Sequence, residues 1–106
     1  MSAFRRGRLD GAPAAPADGE RHDVVATPGG ARVELILTGR LAGPQRFTGD
    51  ADEWVVVLDG SARLEAGGDV HDLVAGDWVL IPAGQPHVLH DAAPGTRWLA
   101  VHAPPR

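Results

Sequence analysis

The chain has no cysteine, no tyrosine, no lysine and no asparagine, and its only serines are Ser2 and Ser61. Each absence removes a class of chemistry. Without thiols there is no disulfide framework, no thiolate nucleophile and no sulfur-ligated zinc. Without lysine there is no Schiff base and no phosphate-binding P-loop, and all 10 cationic side chains are arginine. Ser2 stands at a chain terminus and Ser61 follows Asp59-Gly60, which reads as a hairpin turn, so a serine nucleophile is disfavoured. Long apolar runs are missing too. No stretch approaches a membrane span, and Phe4-Arg5-Arg6-Gly7-Arg8 leads into Asp10-Gly11 rather than into a signal-peptide core. The expected location is the cytoplasm. A formal net charge of −4 over 106 residues argues against nucleic acid or an anionic membrane as partner.

Polar chemistry therefore falls to the carboxylates, the arginines, a few threonines and five histidines, at 22, 71, 87, 90 and 102. Glycine (14) and proline (9) are abundant, a bias that also follows from a GC-rich genome. Residues 1–30 hold no sustained apolar period, and Ala12-Pro13-Ala14-Ala15-Pro16-Ala17 resists regular helix, so this stretch reads as an irregular N-terminal arm. From 31 to 106 the texture changes. Short apolar or alternating runs at 33–37, 54–58, 62–65, 70–74, 78–81, 87–90 and 97–102 are separated by Gly/Pro/Asp punctuation, with no helical period. Runs 54–58 and 62–65 read as a hairpin through Asp59-Gly60. Six or seven evenly spaced strands predict an all-β domain, a small antiparallel sandwich or barrel.

Particular residues sharpen that class. Gly76, five residues, Pro82-Ala83-Gly84, two residues and His87 resemble the second motif of the cupin superfamily, G-x5-P-x-G-x2-H-x3-N. Glu53, followed by six residues and Gly60, resembles the end of the first motif, G-x5-H-x-H-x3-4-E-x6-G. Two positions depart from the pattern. The metal-binding His-x-His is replaced by Arg46 and Thr48, or by Phe47 and Gly49 at the shorter spacing, and the closing Asn is Asp91. The text around the motifs is similar to single-domain bacterial cupins that lack the His-x-His pair. The resemblance implies a cupin-type antiparallel β-barrel (jelly-roll) over 31–106, with a small-molecule pocket at its mouth.

Strand alternation puts His87, Leu89 and Asp91 on one face, with Val88 and His90 on the other, and it groups Glu53, Val55 and Val57. In the barrel frame Glu53 and His87 then share the mouth. One reading makes them ligands of a divalent transition metal (Fe, Mn, Ni or Zn), completed by Asp91, His102, Thr48 or water. The product would be an isomerase, epimerase, cyclase or oxygenase. A second reading is metal-free: Arg46 captures a carboxylate or phosphate and His87 moves a proton. A third is a non-catalytic anion- or ligand-sensing module, in which Arg46 captures an anion and no turnover occurs; a purely structural reading pairs Glu53 with Arg46 and makes His87 a hydrogen-bonded wall residue. Trp54, Trp78 and Trp98 read as core or subunit-interface anchors, Asp77 as a turn cap, and His22 and His71 as surface residues. A barrel this small gains burial by pairing, so a homodimer is expected.

Overall fold

Val, Leu, Ile and Trp at alternate positions leave each segment with one face to bury, and two sheets packed face to face satisfy them all. The computed structural model describes residues 4–9 and 14–104. Nine strands are found among them: β1 (Glu20–Ala26), β2 (Arg32–Thr38), β3 (Gln45–Phe47), β4 (Glu53–Asp59), β5 (Ser61–Ala66), β6 (Asp69–Val74), β7 (Trp78–Ile81), β8 (His87–Ala92) and β9 (Thr96–His102). They form a five-stranded sheet, β1-β2-β9-β4-β7, and a four-stranded sheet, β3-β8-β5-β6, with every strand pair antiparallel. This is the all-β jelly-roll that the sequence predicts. No helix among the described residues is long and apolar enough to cross a membrane.

Two expectations about local structure are corrected. The pair 54–58 and 62–65 is not a hairpin, because β4 belongs to one sheet and β5 to the other. At Gly60 (φ +99°) the chain turns the corner between the sheets, against buried Thr96. The true hairpin is β5–β6, closed by Gly67-Gly68, with Ala66 opposite Asp69. The irregular arm also stops earlier than residue 30. Glu20–Ala26 is an edge strand in register with β2, from Glu20 opposite Thr38 to Val24 opposite Glu34. Its polar sequence hid it from a search for apolar period, since Glu20 and His22 face a cavity and Arg21 and Val25 face solvent.

The core between the sheets is built from inward residues of seven strands, including Ile36, Val55, Val57, Leu64, Leu89 and Trp98. On the opposite side of β2, Leu35 and Leu37 are only 2% and 1% exposed. The N-terminal segment is tied to that region. Gly39 donates its amide to the carbonyl of Gly19, Arg40 binds the carbonyl of Ala17 and the carboxylate of Asp18, and Arg97 reaches the carbonyl of Leu9. The outer face of β4 and β7 is left bare. Trp78 and Leu80 are each 60% exposed, and the rings of Trp54 and Trp78 lie 6.2 Å apart.

Candidate functional site

The strands do not close evenly. At one end Thr38, Val57 and Thr96 seal the space between the sheets and are at most 1% exposed. At the other end the inward side chains are shorter of partners and polar, and a cavity of about 520 Å³ opens between the sheets. Its apolar walls are Ile36, Val55, Leu64, Ile81, Leu89 and Trp98, with Phe47 at the side. That volume lies in the range of small-molecule sites, about 300–1,000 Å³.

Glu53 and His102 face each other directly across β4 and β9, the arrangement in which side chains of neighbouring strands come closest. His87 enters from β8 in the opposite sheet. The two Glu53 oxygens are each flanked by an imidazole: His87 Nε2 lies 3.7 Å from Oε1, and His102 Nε2 lies 3.9 Å from Oε2. Both separations exceed hydrogen-bond length. His87 Nδ1 is 3.1 Å from the carbonyl of Gln85, which can only accept, so Nδ1 carries the proton and Nε2 is turned to the cavity. Phe47 stacks on the same ring, centroids 5.5 Å apart and planes 21° from parallel. The Nε2 of His102 is buried and makes no hydrogen bond.

A second group of charges continues from His102 toward the rim. Glu34, inward on β2 and 7% exposed, lies 3.3 Å from His102 Nε2, 3.3 Å from His22 Nδ1 and 2.8 Å from Arg32 Nε. Burial alone would raise the Glu34 carboxyl, but the hydrogen bond with His22 and the charges of Arg32, His102 and His22 outweigh it and hold the group below its usual range. His22 moves the other way. Its hydrogen bond to Glu20, together with Glu34, raises it above 6.5 against the opposing effect of partial burial. The charged form of His22 is thus favoured in the folded state, and its stabilisation is complete below pH 6.5 and lost as pH climbs through the raised folded value. The melting temperature is therefore expected to fall slightly between pH 6.5 and 8.5, and His22→Gln should flatten that slope. An unchanged slope in a differential-scanning series would refute the coupling.

His22 and Glu34 were not read as site residues from sequence. One reads as a surface histidine in an irregular arm, and the other lies within the run 33–37 that reads as a strand. The alternation Arg32, Glu34, Ile36 within β2 was the available signal, since it sets two charged groups on the inward face.

Of the residues expected at the site, Glu53, His87, His102, Arg46 and Thr48 all border the cavity. Arg46 borders it only from the rim. It is exposed and pairs with Val88, whose side chain alternates outward between inward His87 and Leu89. Phe47, opposite His87, takes the inward place, so the structure selects the shorter of the two motif spacings, Phe47 and Gly49. Among the described residues Arg46 makes no hydrogen bond or ion pair, and the expected pairing with Glu53 is not formed. Asp91 lies outside the cavity, which corrects its assignment as a ligand-binding residue. β8 pairs Leu64 with Leu89 but Arg63 with Asp91, so His90 is an extra residue that resets the alternation and turns Asp91 outward. His90 points away as expected and meets Glu65 at 2.7 Å. Asp77 caps its turn, accepting the amide of Val74 at 2.9 Å.

Glu53, His87 and His102 converge, but the positions of the first motif's ligand histidines carry no metal donor. The inward positions of the first motif offer a phenyl ring and a glycine, and Asp91 is displaced. No group of three or more His, Asp or Glu among the described residues is arranged to hold an ion.

A two-sheet antiparallel jelly-roll with a pocket at its open mouth, lined by Glu53 and His87, defines a small cupin-type barrel. The family model for the cupin domain matches residues 32–102, and the chain belongs to that family. No sequence among curated proteins matches it. Solved structures do. One is a protein from Ralstonia eutropha JMP134 proposed to be a mannose-6-phosphate isomerase, 28% identical over 95% of this chain and 99% of that one, with a TM-score of 0.79. KdgF from Halomonas sp. is 19% identical over 93% and 94% of the two chains, with a TM-score of 0.77. The Cupin_2 domain of an XRE family transcriptional regulator from Enterobacter cloacae is 16% identical over 84% and 100%, with a TM-score of 0.71.

Proposed function

We propose that the chain is a small-molecule enzyme of the isomerase or epimerase type, working without a metal and using His87 and Glu53 to move a proton on a carbon acid. The observation that carries this reading is the placement of His87: its ring is held by Gln85 and Phe47, its Nε2 is turned to the cavity, and a carboxylate stands 3.7 Å away. Fixing one tautomer leaves the Nε2 lone pair as the base. When Nε2 takes a proton from the carbon next to a carbonyl, that C–H bond breaks and its electron pair passes into an enediol. Glu53 then stabilises the imidazolium that forms. Return of the proton to the neighbouring carbon, with the hydroxyl proton of that carbon passing to the former carbonyl oxygen, completes an isomerisation, and no outside oxidant or reductant is needed. The similarity to a protein proposed as a mannose-6-phosphate isomerase supports an aldose–ketose exchange of this kind.

Proton NMR in D2O is the test, with mannose 6-phosphate, fructose 6-phosphate and the unphosphorylated sugars as probes. The protein should exchange the proton next to the carbonyl of at least one of them, and His87→Gln should slow that exchange by about 100-fold or more, the usual contribution of a general base. Exchange that survives in His87→Gln, or none with any probe, overturns the proposal. Binding without exchange would favour the non-catalytic ligand-binding reading instead.

A further inference from the structure

Glu53 is a carboxylate without a hydrogen-bond donor. Its side chain is 18% exposed, and among the described residues it accepts no hydrogen bond. An inward carboxylate whose two oxygens face a cavity offers a pair of acceptors to whatever fills it. The two gaps beside it are alike. Oε1 looks toward His87 Nε2 across 3.7 Å, and Oε2 looks toward His102 Nε2 across 3.9 Å. Neither Nε2 makes a hydrogen bond with the carboxylate, and that of His102 makes none at all. A hydroxyl suits both oxygens: beside His102 it can donate to Oε2 and accept from an imidazole N–H, and beside His87, whose Nε2 holds the lone pair, it donates to Oε1. Because the two oxygens belong to one carboxylate, the two hydroxyls must be neighbours.

We infer that Glu53, His87 and His102 form a cradle for a vicinal diol, so the ligand of this pocket is a polyhydroxylated molecule such as a sugar, bound through two adjacent hydroxyls. The inference rests on the same pocket as the proton-transfer reading and names its substrate class. The walls agree with it. Phe47 and Trp98 border the cavity and offer flat apolar surface to the C–H face of a sugar ring. Glu34 lies 3.3 Å from the same His102 Nε2 and flanks the cradle on the β2 side. Glu34 is itself held by Arg32 and His22, so it remains charged and keeps His102 a good donor.

The test uses matched neutral probes and needs no turnover. Isotope-labelled protein is titrated with cis-1,2-cyclohexanediol and with cyclohexanol, and then with 1,2-propanediol and 1-propanol. Amide signals around 53, 87 and 102 should move with the diols, and the diols should bind at least tenfold more tightly than their mono-hydroxyl partners. Glu53→Gln should remove most of that difference, and His102→Gln serves as a second variant should the first fold poorly. Equal affinity for diol and mono-alcohol, or a preference unchanged in both variants, overturns the inference. Diol binding without proton exchange would sink the catalytic proposal and leave the cradle standing. Exchange without a diol preference would do the reverse.

Discussion

Gly60→Ala is expected to cost most of the stability of this domain. Gly60 sits at φ +99°, where an L side chain is strained, and a Cβ there would lie 2.4 Å from Thr96 Oγ1 and 2.9 Å from Thr96 Cα. Thr96 cannot retreat. It is fully buried, its hydroxyl donates to the carbonyl of Ala93 at 2.6 Å, and it receives the amide of Ser61 at 3.3 Å. The left-handed conformation alone costs about 1–2 kcal/mol. The clash with fixed backbone adds to it, and a total above about 4 kcal/mol would be a large part of the 5–15 kcal/mol typical of a domain. Gly67 is the control. It also has positive φ, but nothing lies within 4 Å of its added Cβ, so Gly67→Ala should show only the conformational penalty. Urea titrations in which the two variants differ by less than about 1 kcal/mol would refute this account of the corner.

Trp98 carries the second large effect. It is 4% exposed, borders the cavity, and donates its indole N–H to Thr38 Oγ1 at 3.0 Å. Thr38 in turn donates to Glu20, so the indole supports the edge strand β1 through one fully buried hydroxyl. Trp98→Ala should destabilise by about 3–5 kcal/mol, since it enlarges the hollow the barrel already contains. Trp98→Phe keeps most of the volume but leaves the Thr38 acceptor unmet, a loss of about 1–3 kcal/mol. Chemical denaturation separates the two. If the Phe variant proved as stable as the parent, the hydrogen bond would be adding nothing beyond packing.

The barrel and half of its site were legible in the chain because both depend on local signals. Gly76, Pro82, Gly84 and His87 stand at fixed offsets that a turn and a strand start require, and the pairing of Glu53 with His87 follows from alternation once the strands are placed. What stayed hidden depends on non-local events. Asp91 seemed inward because alternation was counted straight through His90, and a bulge is decided by the partner strand β5 rather than by β8 alone. Arg46 and Phe47 exchanged roles for a similar reason, since only pairing with β8 chooses between two spacings. Glu34 and His22 gained their role by coming together with His102 across β1, β2 and β9, a meeting that no local pattern announces. Asp59-Gly60 has the composition of a hairpin turn, yet the chain uses it to change sheets.

Strand β7 has a consequence for how the protein behaves when crowded. It lies at the open edge of the five-stranded sheet, and its residues, Trp78-Val79-Leu80-Ile81, carry no charge. Such an edge is a template on which identical chains can stack into fibres. Two neighbours limit it. Asp77 is committed to its turn on one side, and on the other Pro82 has no N–H to offer an incoming strand. The adhesive run is thereby held to four residues, short of the six or so from which zipper-like fibrils grow. Pro82, a residue of the cavity rim, thus also closes one end of the edge on which another chain could pair.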